Sequence, residues 1–151
     1  MKSVINWFEI PVADMDRAIK FYEPVMQLAL RREKMDCAEL AVFPHEDPYT
    51  GGALAKFDGV TPSLQGAIIY LHTDNLAATL DRIASAGGEC VFGPLELPHG
   101  IGTIALFTDS EGITMRKYNP SCIFCGSADN ITTYRGKIIC EDCRREIYRG
   151  R

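Results

Sequence analysis

The chain has 151 residues, 46% hydrophobic and 24% charged, a composition that suits one globular domain with an appendage and argues against a disordered chain. Net charge is −4, unevenly placed: residues 1–120 carry 10 Lys and Arg against 16 Asp and Glu, and residues 121–151 carry 6 against 4. An acidic body argues against wrapping a phosphate backbone, no run approaches the roughly 18 apolar residues of a membrane span, and the opening MKSVINWFEIPVAD lacks a signal-peptide core, so the reading is cytoplasmic.

In chain order, the first predicted unit begins with a strand in which Phe8, Ile10 and Val12 alternate with Trp7, Glu9 and Pro11, the period of a strand with two different faces. Asp14 stands at an N-cap position. Met15, Ala18, Ile19 and Tyr22 then recur at helical spacing, which predicts a helix packed back on that strand and broken at Pro24. Strands are expected over 28–34, 37–43 and 51–57, with a Pro-bounded acidic loop over 44–49.

The second predicted unit repeats the first at an offset of 61 residues. Residues 66–73 read as a strand, Asp74 or Asn75 as the cap, and Leu76, Leu80 and Ile83 as the stripe of a helix over 75–86 that stops at Gly87-Gly88. Strands are expected over 89–93, 101–108 and 113–118, separated by a Pro-bounded loop at 94–100 and a turn at Asp109-Ser110-Glu111-Gly112. Far from the first match, Gly51, Leu54, Lys56 and Phe57 recur as Gly112, Met115, Lys117 and Tyr118 in register. Each unit is therefore β-α-β-β-β, and the predicted class is α+β.

Paired units of this kind, with strand, Asp, helix and Phe-Tyr in the first, Gly-Gly after the second helix, and Asp-x-Glu-Gly before the last strand, resemble the vicinal oxygen chelate superfamily of glyoxalases, bleomycin-resistance proteins and extradiol dioxygenases. The resemblance spans residues 4–119, with modules at 4–58 and 66–118. It implies two units curled into a cup-shaped mixed sheet, with metal-binding side chains on the cup faces of the first and last strands. It also implies a homodimer, since the exposed sheet edges of such units are commonly paired. Carried over by position, the family's ligands fall on Trp7, Ala55, Ile68 and Arg116. An indole, a methyl, an aliphatic chain and a guanidinium supply no first shell for a divalent ion, so no cofactor is expected in the cup.

If Trp7 faces inward, so does Glu9; if Ile68 does, so do Tyr70 and His72; if Arg116 does, so does Tyr118. The candidate ligand-binding set is therefore Trp7, Glu9, Tyr70, His72, Arg116 and Tyr118, an aromatic box with a few polar groups, and Arg116 can hold an anionic group through a bidentate pair. The alternative leaves Trp7 and the tyrosines as filler and Glu9 with Arg116 as a structural bridge. His45 and His99 are read as exposed loop residues, and Cys37 and Cys90 as buried free thiols in strands.

The tail, residues 120–151, places Cys122-x-x-Cys125 and Cys140-x-x-Cys143 with 14 residues between the pairs. Such pairs grip a tetrahedral zinc ion, and about thirty residues bury too little apolar surface to fold without one. Two disulfides or a redox CxxC are the alternative, one that a cytosolic chain disfavours. A helix is expected over 144–149, so the tail resembles the small zinc domain of Clp unfoldases or a treble clef more than a plain ribbon.

The sequence thus reads as a cup that binds a small organic ligand without the family metal, carrying a structural zinc tail that docks a protein partner or the second subunit. Membrane and nucleic-acid partners are not expected. The competing reading is a glyoxalase-type lyase or other metal-dependent enzyme, with Glu9 and His72 as displaced ligands or as acid and base.

Overall fold

The computed structural model describes residues 4–127, 130–134 and 137–150, and within 114–119 the backbone only. The first unit runs β1 (Trp7–Pro11), α1 (Met15–Met26), β2 (Arg31–Met35), β3 (Ala38–Val42), β4 (Gly51–Phe57). The second runs β5 (Tyr70–His72), α2 (Leu76–Ser85), β6 (Glu89–Glu96), β7 (Gly102–Thr108), β8 (Thr114–Pro120), with a short 3-10 turn at Pro98–Gly100 before β7. Each unit forms a mixed four-stranded sheet, in the orders β1-β4-β3-β2 and β5-β8-β7-β6, its first and last strands parallel and the rest antiparallel. The α+β class and the doubled unit are as the sequence predicts. Glu9 lies opposite Ala53, while its repeat equivalent Tyr70 lies opposite Arg116 instead of Thr114. That two-residue slip keeps every side chain on its own face.

The strand alternation and the helical stripes meet in one core. Ile10, Val12, Leu54, Leu71, Phe107 and Ile113 from the sheets pack with Met15, Ala18, Phe21, Tyr22, Val25 and Ile83 from the helices. Phe21 stacks on Phe107 at 6.2 Å, so the first helix packs on the second sheet. Both caps act as expected: Asp14 Oδ1 accepts the N–H of Arg17, and Asn75 Oδ1 that of Ala78.

Two sequence motifs that look unrelated meet here. Tyr22, from the Phe-Tyr of α1, donates its hydroxyl to Asp109 at 2.5 Å, and Asp109 also accepts the N–H groups of Glu111 and Ile113 within its own turn. Glu111, its side chain fully buried, accepts the N–H groups of Ala13 and Asp14 at 2.8 and 2.7 Å and the Arg17 Nε–H at 2.6 Å. A carboxylate from the second unit thus caps the first unit's helix, where the aligned peptide dipoles favour negative charge.

Several boundaries differ from expectation for identifiable reasons. The helix continues through Pro24 to Met26, since a proline so near the end removes one hydrogen bond, and Gln27 at φ 54° closes the helix by donating to Glu23. β2 starts at Arg31, after that cap. β5 is only three residues long, and Ile68 precedes it. β6 runs on through Gly93-Pro94 to Glu96; as an edge strand it tolerates the proline, and Gly93 sits in a bulge at φ 96° where a Cβ would come within 2.9 Å of the Ile104 carbonyl oxygen. Cys37 and Cys90 are exposed, not buried: Cys37 falls in the β2–β3 turn and Cys90 on the edge strand.

The tail is a knuckle at 122–125, a hairpin of β9 (Ile131–Tyr134) and β10 (Lys137–Cys140), and α3 (Glu141–Arg149), a helix that starts three residues earlier than expected because Cys140 itself caps it. Among the described residues no helix is long and apolar enough to cross a membrane.

Candidate functional site

On the face of the first sheet turned away from the helices, Trp7, Glu9 and Pro11 alternate with the core residues of β1, as expected. Their neighbours are small or aliphatic: Leu40, Val42, Ala53 and Ala55 form an apolar cluster closed by Phe57. Trp7 is 41% exposed, and its indole N–H donates to Glu9 Oε1 at 3.4 Å. His45, expected to be exposed in its loop and found so, also meets the Trp7 ring edge-on at 5.8 Å. Gly51 makes that approach possible, since a Cβ there would lie 2.7 Å from the imidazole. Alternation along one strand could not reveal this, because the histidine arrives from another element.

On the second sheet the same face carries Tyr70 and His72, with Phe92, Leu95, Ile104 and Leu106 opposite or beyond them across β8. Tyr70, Phe92 and Leu95 are 47%, 52% and 43% exposed, an apolar surface open to solvent in the single chain. His72 Nε2 lies 2.8 Å from Asp74 Oδ1, so a carboxylate orients the imidazole. The backbone places Arg116 beside Tyr70 and Tyr118 beside His72; the side chains of Arg116 and Tyr118 lie outside the described residues. Of the four family ligand positions, Trp7 is bonded to Glu9, Ala55 is buried, and Ile68 is partly exposed ahead of β5. His99 sits at φ 61° in the short turn before β7.

Two larger clefts, of about 550 and 610 Å³, lie at the other end of the first sheet, against the β2–β3 turn and the start of α1. Sequence patterning does not single them out. Lys34, Glu39 and Lys56 line both, an alternation of charge on a solvated surface rather than a convergent site.

In the tail the four thiol sulfurs of Cys122, Cys125, Cys140 and Cys143 lie within 4.8 Å of one another, and Cys125 and Cys140 are 3.6 Å apart. Zinc–sulfur bonds of about 2.3 Å imply sulfur–sulfur edges of roughly 3.8 Å, so the cluster is sized for such an ion. The Phe124 N–H points at Cys122 Sγ and the Cys143 N–H at Cys140 Sγ, each at 3.4 Å, stabilising thiolate at both pairs. Burial works against ionising Cys122, but the backbone N–H groups of Cys125, Cys140 and Phe124 bring its thiol down to about 6. Hydrogen bonding to Cys140, together with burial, pushes the Cys143 thiol above its ordinary range.

Residues 4–116 match the family model described as Glyoxalase/Bleomycin resistance protein/Dioxygenase superfamily. A glyoxylase-like domain-containing protein of Didymella fabae is 27% identical over 120 residues, covering 73% of this chain and 88% of that one. Among solved structures, glyoxalase I of Zea mays superposes with a TM-score of 0.60 at 26% identity, over 75% of this chain but only 44% of the maize chain. TnmS3, an antibiotic binding protein from Streptomyces sp. CB03234, superposes at 0.63 with 25% identity over 80% of this chain and 99% of its own.

Proposed function

The chain belongs to the glyoxalase/bleomycin resistance protein/dioxygenase superfamily, and from that premise we propose that it binds a small organic molecule on the helix-distal faces of its two sheets without the family's metal. The observation that carries this reading is the environment of Trp7. At a position where the resemblance places a family metal ligand stands an indole, bonded to Glu9, with His45 packed on its edge and Ala55 buried on the neighbouring strand of the same face. Likeness to an antibiotic-binding protein that is covered over 99% of its own length supports binding over turnover. Trp7 and Tyr70 would flank the ligand's apolar part, Arg116 would take an anionic group, and His72 and Tyr118 would complete the polar contacts. The exposed Tyr70, Phe92 and Leu95 fit a homodimer in which a second copy closes the surface. Residues 120–151 act as a separate treble-clef-like unit holding one structural zinc through Cys122, Cys125, Cys140 and Cys143, and serve to dock a partner or the second subunit.

The test has two arms. Purified protein is expected to carry one zinc per chain by mass spectrometry and to lose it when Cys122 and Cys125 are both replaced by Ser; stoichiometric metal remaining in that variant would move the ion to the sheets and favour a glyoxalase-type lyase using Glu9 and His72. Arg116→Ala is expected to weaken binding of small aromatic or aliphatic acids by about 2 to 4 kcal/mol in a thermal-shift screen. Equal stabilisation of both proteins by acids would make Arg116 structural.

A further inference from the structure

A cavity of about 340 Å³ lies where the tail meets the body, and no single unit of the chain makes it. Tyr49 from the β3–β4 loop, His72 and Asp74 from the end of β5, and Pro120 from the end of β8 form the body's share; Thr133 and Ile138, a cross-strand pair of the tail hairpin, face them with Thr132 and Ile131 beside. The tail is tied down at its start, where the Ser121 hydroxyl donates to the Gly100 carbonyl at 3.1 Å. Its own small core of Cys122, Ile139 and Cys140 leaves Ile138 partly exposed toward the body.

The chemistry of the lining selects among ligands. Hydroxyls of Tyr49, Thr132 and Thr133 and the Asp74-held imidazole of His72 offer donors and acceptors, while Pro120, Ile131 and Ile138 offer apolar wall. No lysine or arginine lines the cavity among the described residues, and the Asp74 carboxylate disfavours an anion. The volume sits at the low end of the range for small-molecule sites, enough for one or two rings. We infer that this cavity is a second binding site, for a small neutral hydroxylated aromatic molecule. It goes beyond the reading above, in which an acid is held on the sheet faces, and it gives the tail a part in recognition as well as docking.

Titration of the ¹⁵N-labelled, zinc-loaded full chain with resorcinol, and in parallel with benzoate, tests it by amide chemical shifts. Resorcinol is expected to move Tyr49, Thr133 and Ile138, and benzoate, which the reading above places against His72, to leave those three in place. Ile138→Trp is expected to abolish the resorcinol response by filling the cavity; if that variant loses zinc, Tyr49→Ala, outside the sheet-face set, decides, with binding expected to weaken about tenfold as an aromatic hydroxyl partner is removed. Equal shifts of Tyr49, Thr133 and Ile138 from benzoate, resorcinol shifts confined to Trp7 and Glu9, or unchanged binding in Tyr49→Ala would each overturn the site, and the second of these would leave binding on the sheet faces standing. Resorcinol binding that survives chelation would uphold the cavity while removing the case for metal in the tail, so the two readings fail separately.

Discussion

On the reading proposed above, the body and the tail of this chain stay folded by different means. The body joins both sheets and both helices in one apolar core in which Ile10, Ala18, Tyr22, Val25, Leu54, Ile83 and Phe107 are completely inaccessible. Among the described residues the tail's small apolar cluster buries Cys122, Ile139 and Cys140, two of them cysteines of the thiol cluster. Stabilisation of a large core scales with its buried apolar area, whereas a unit this small has too little area, which is what the proposed zinc would make up. The comparison teaches that the cysteines are the tail's core, and that losing one should be felt locally and completely, while a body mutation should be felt globally and in part.

The largest effect expected is on the tail. Cys140→Ser keeps a side-chain oxygen able to cap α3 but removes a proposed zinc ligand, and should forfeit a metal-linked stabilisation on the order of 10 kcal/mol. Zinc content should fall to zero and the tail amides should collapse toward random-coil shifts, with the body's thermal transition retained; joint unfolding of both would mean that they are one cooperative unit. The converse is Phe107→Ala, expected to cost the body about 3 to 5 kcal/mol in urea denaturation while zinc stays bound. Smaller again is Glu111→Gln, expected to cost about 1 to 3 kcal/mol by weakening the clasp on α1.

That last variant also carries a pH signature. Burial opposes ionisation of Glu111, but Arg17 and the N–H groups of Asp14 and Ala13 hold its carboxyl below the ordinary 4.5. A carboxyl lowered on folding contributes stability that is present above the ordinary value and lost as pH falls through the folded one. The wild-type advantage over Glu111→Gln should therefore shrink on acidification below about 4.5, and a constant difference between the two denaturation curves would contradict the assignment. Asp109, raised chiefly by burial and in part by the neighbouring Glu111 charge, acts in the opposite sense. The smallest effect belongs to the surface pair of Arg32 and Asp16: Asp16→Ala should change stability by less than about 1 kcal/mol, both side chains being more than half exposed.

Much of the fold was legible because apolar periodicity is imposed locally. The alternation of Phe8, Ile10 and Val12, the stripe from Met15 to Tyr22 and the repeat at 61 residues each reflect a single element meeting the core. What escaped depended on a second element. Nothing near His45 announces that Trp7 will come to its edge, and Gly51 explains the contact only once the strands are paired. Cys37 and Cys90 looked buried because a strand pattern does not say which strand lies at an edge or where a turn falls. Pro94 read as a loop because an edge strand's freedom to leave an N–H unpaired is a property of the sheet. The spacing of the four cysteines was fully legible, while Tyr49, Thr132 and Thr133 carried no signal, since the cavity they share exists only between units.

The clasp between Tyr22 and Asp109 and between α1 and Glu111 has a consequence for the chain as a length of polymer. Residues 58–68 run mostly exposed from one unit to the next, and the two units are held together by side chains elsewhere. Covalent continuity is then redundant for their association. A protease that nicks the chain near Ser63 should yield two pieces that migrate as one species until the clasp is undone by acid or denaturant, and the same two pieces, expressed apart, should find each other.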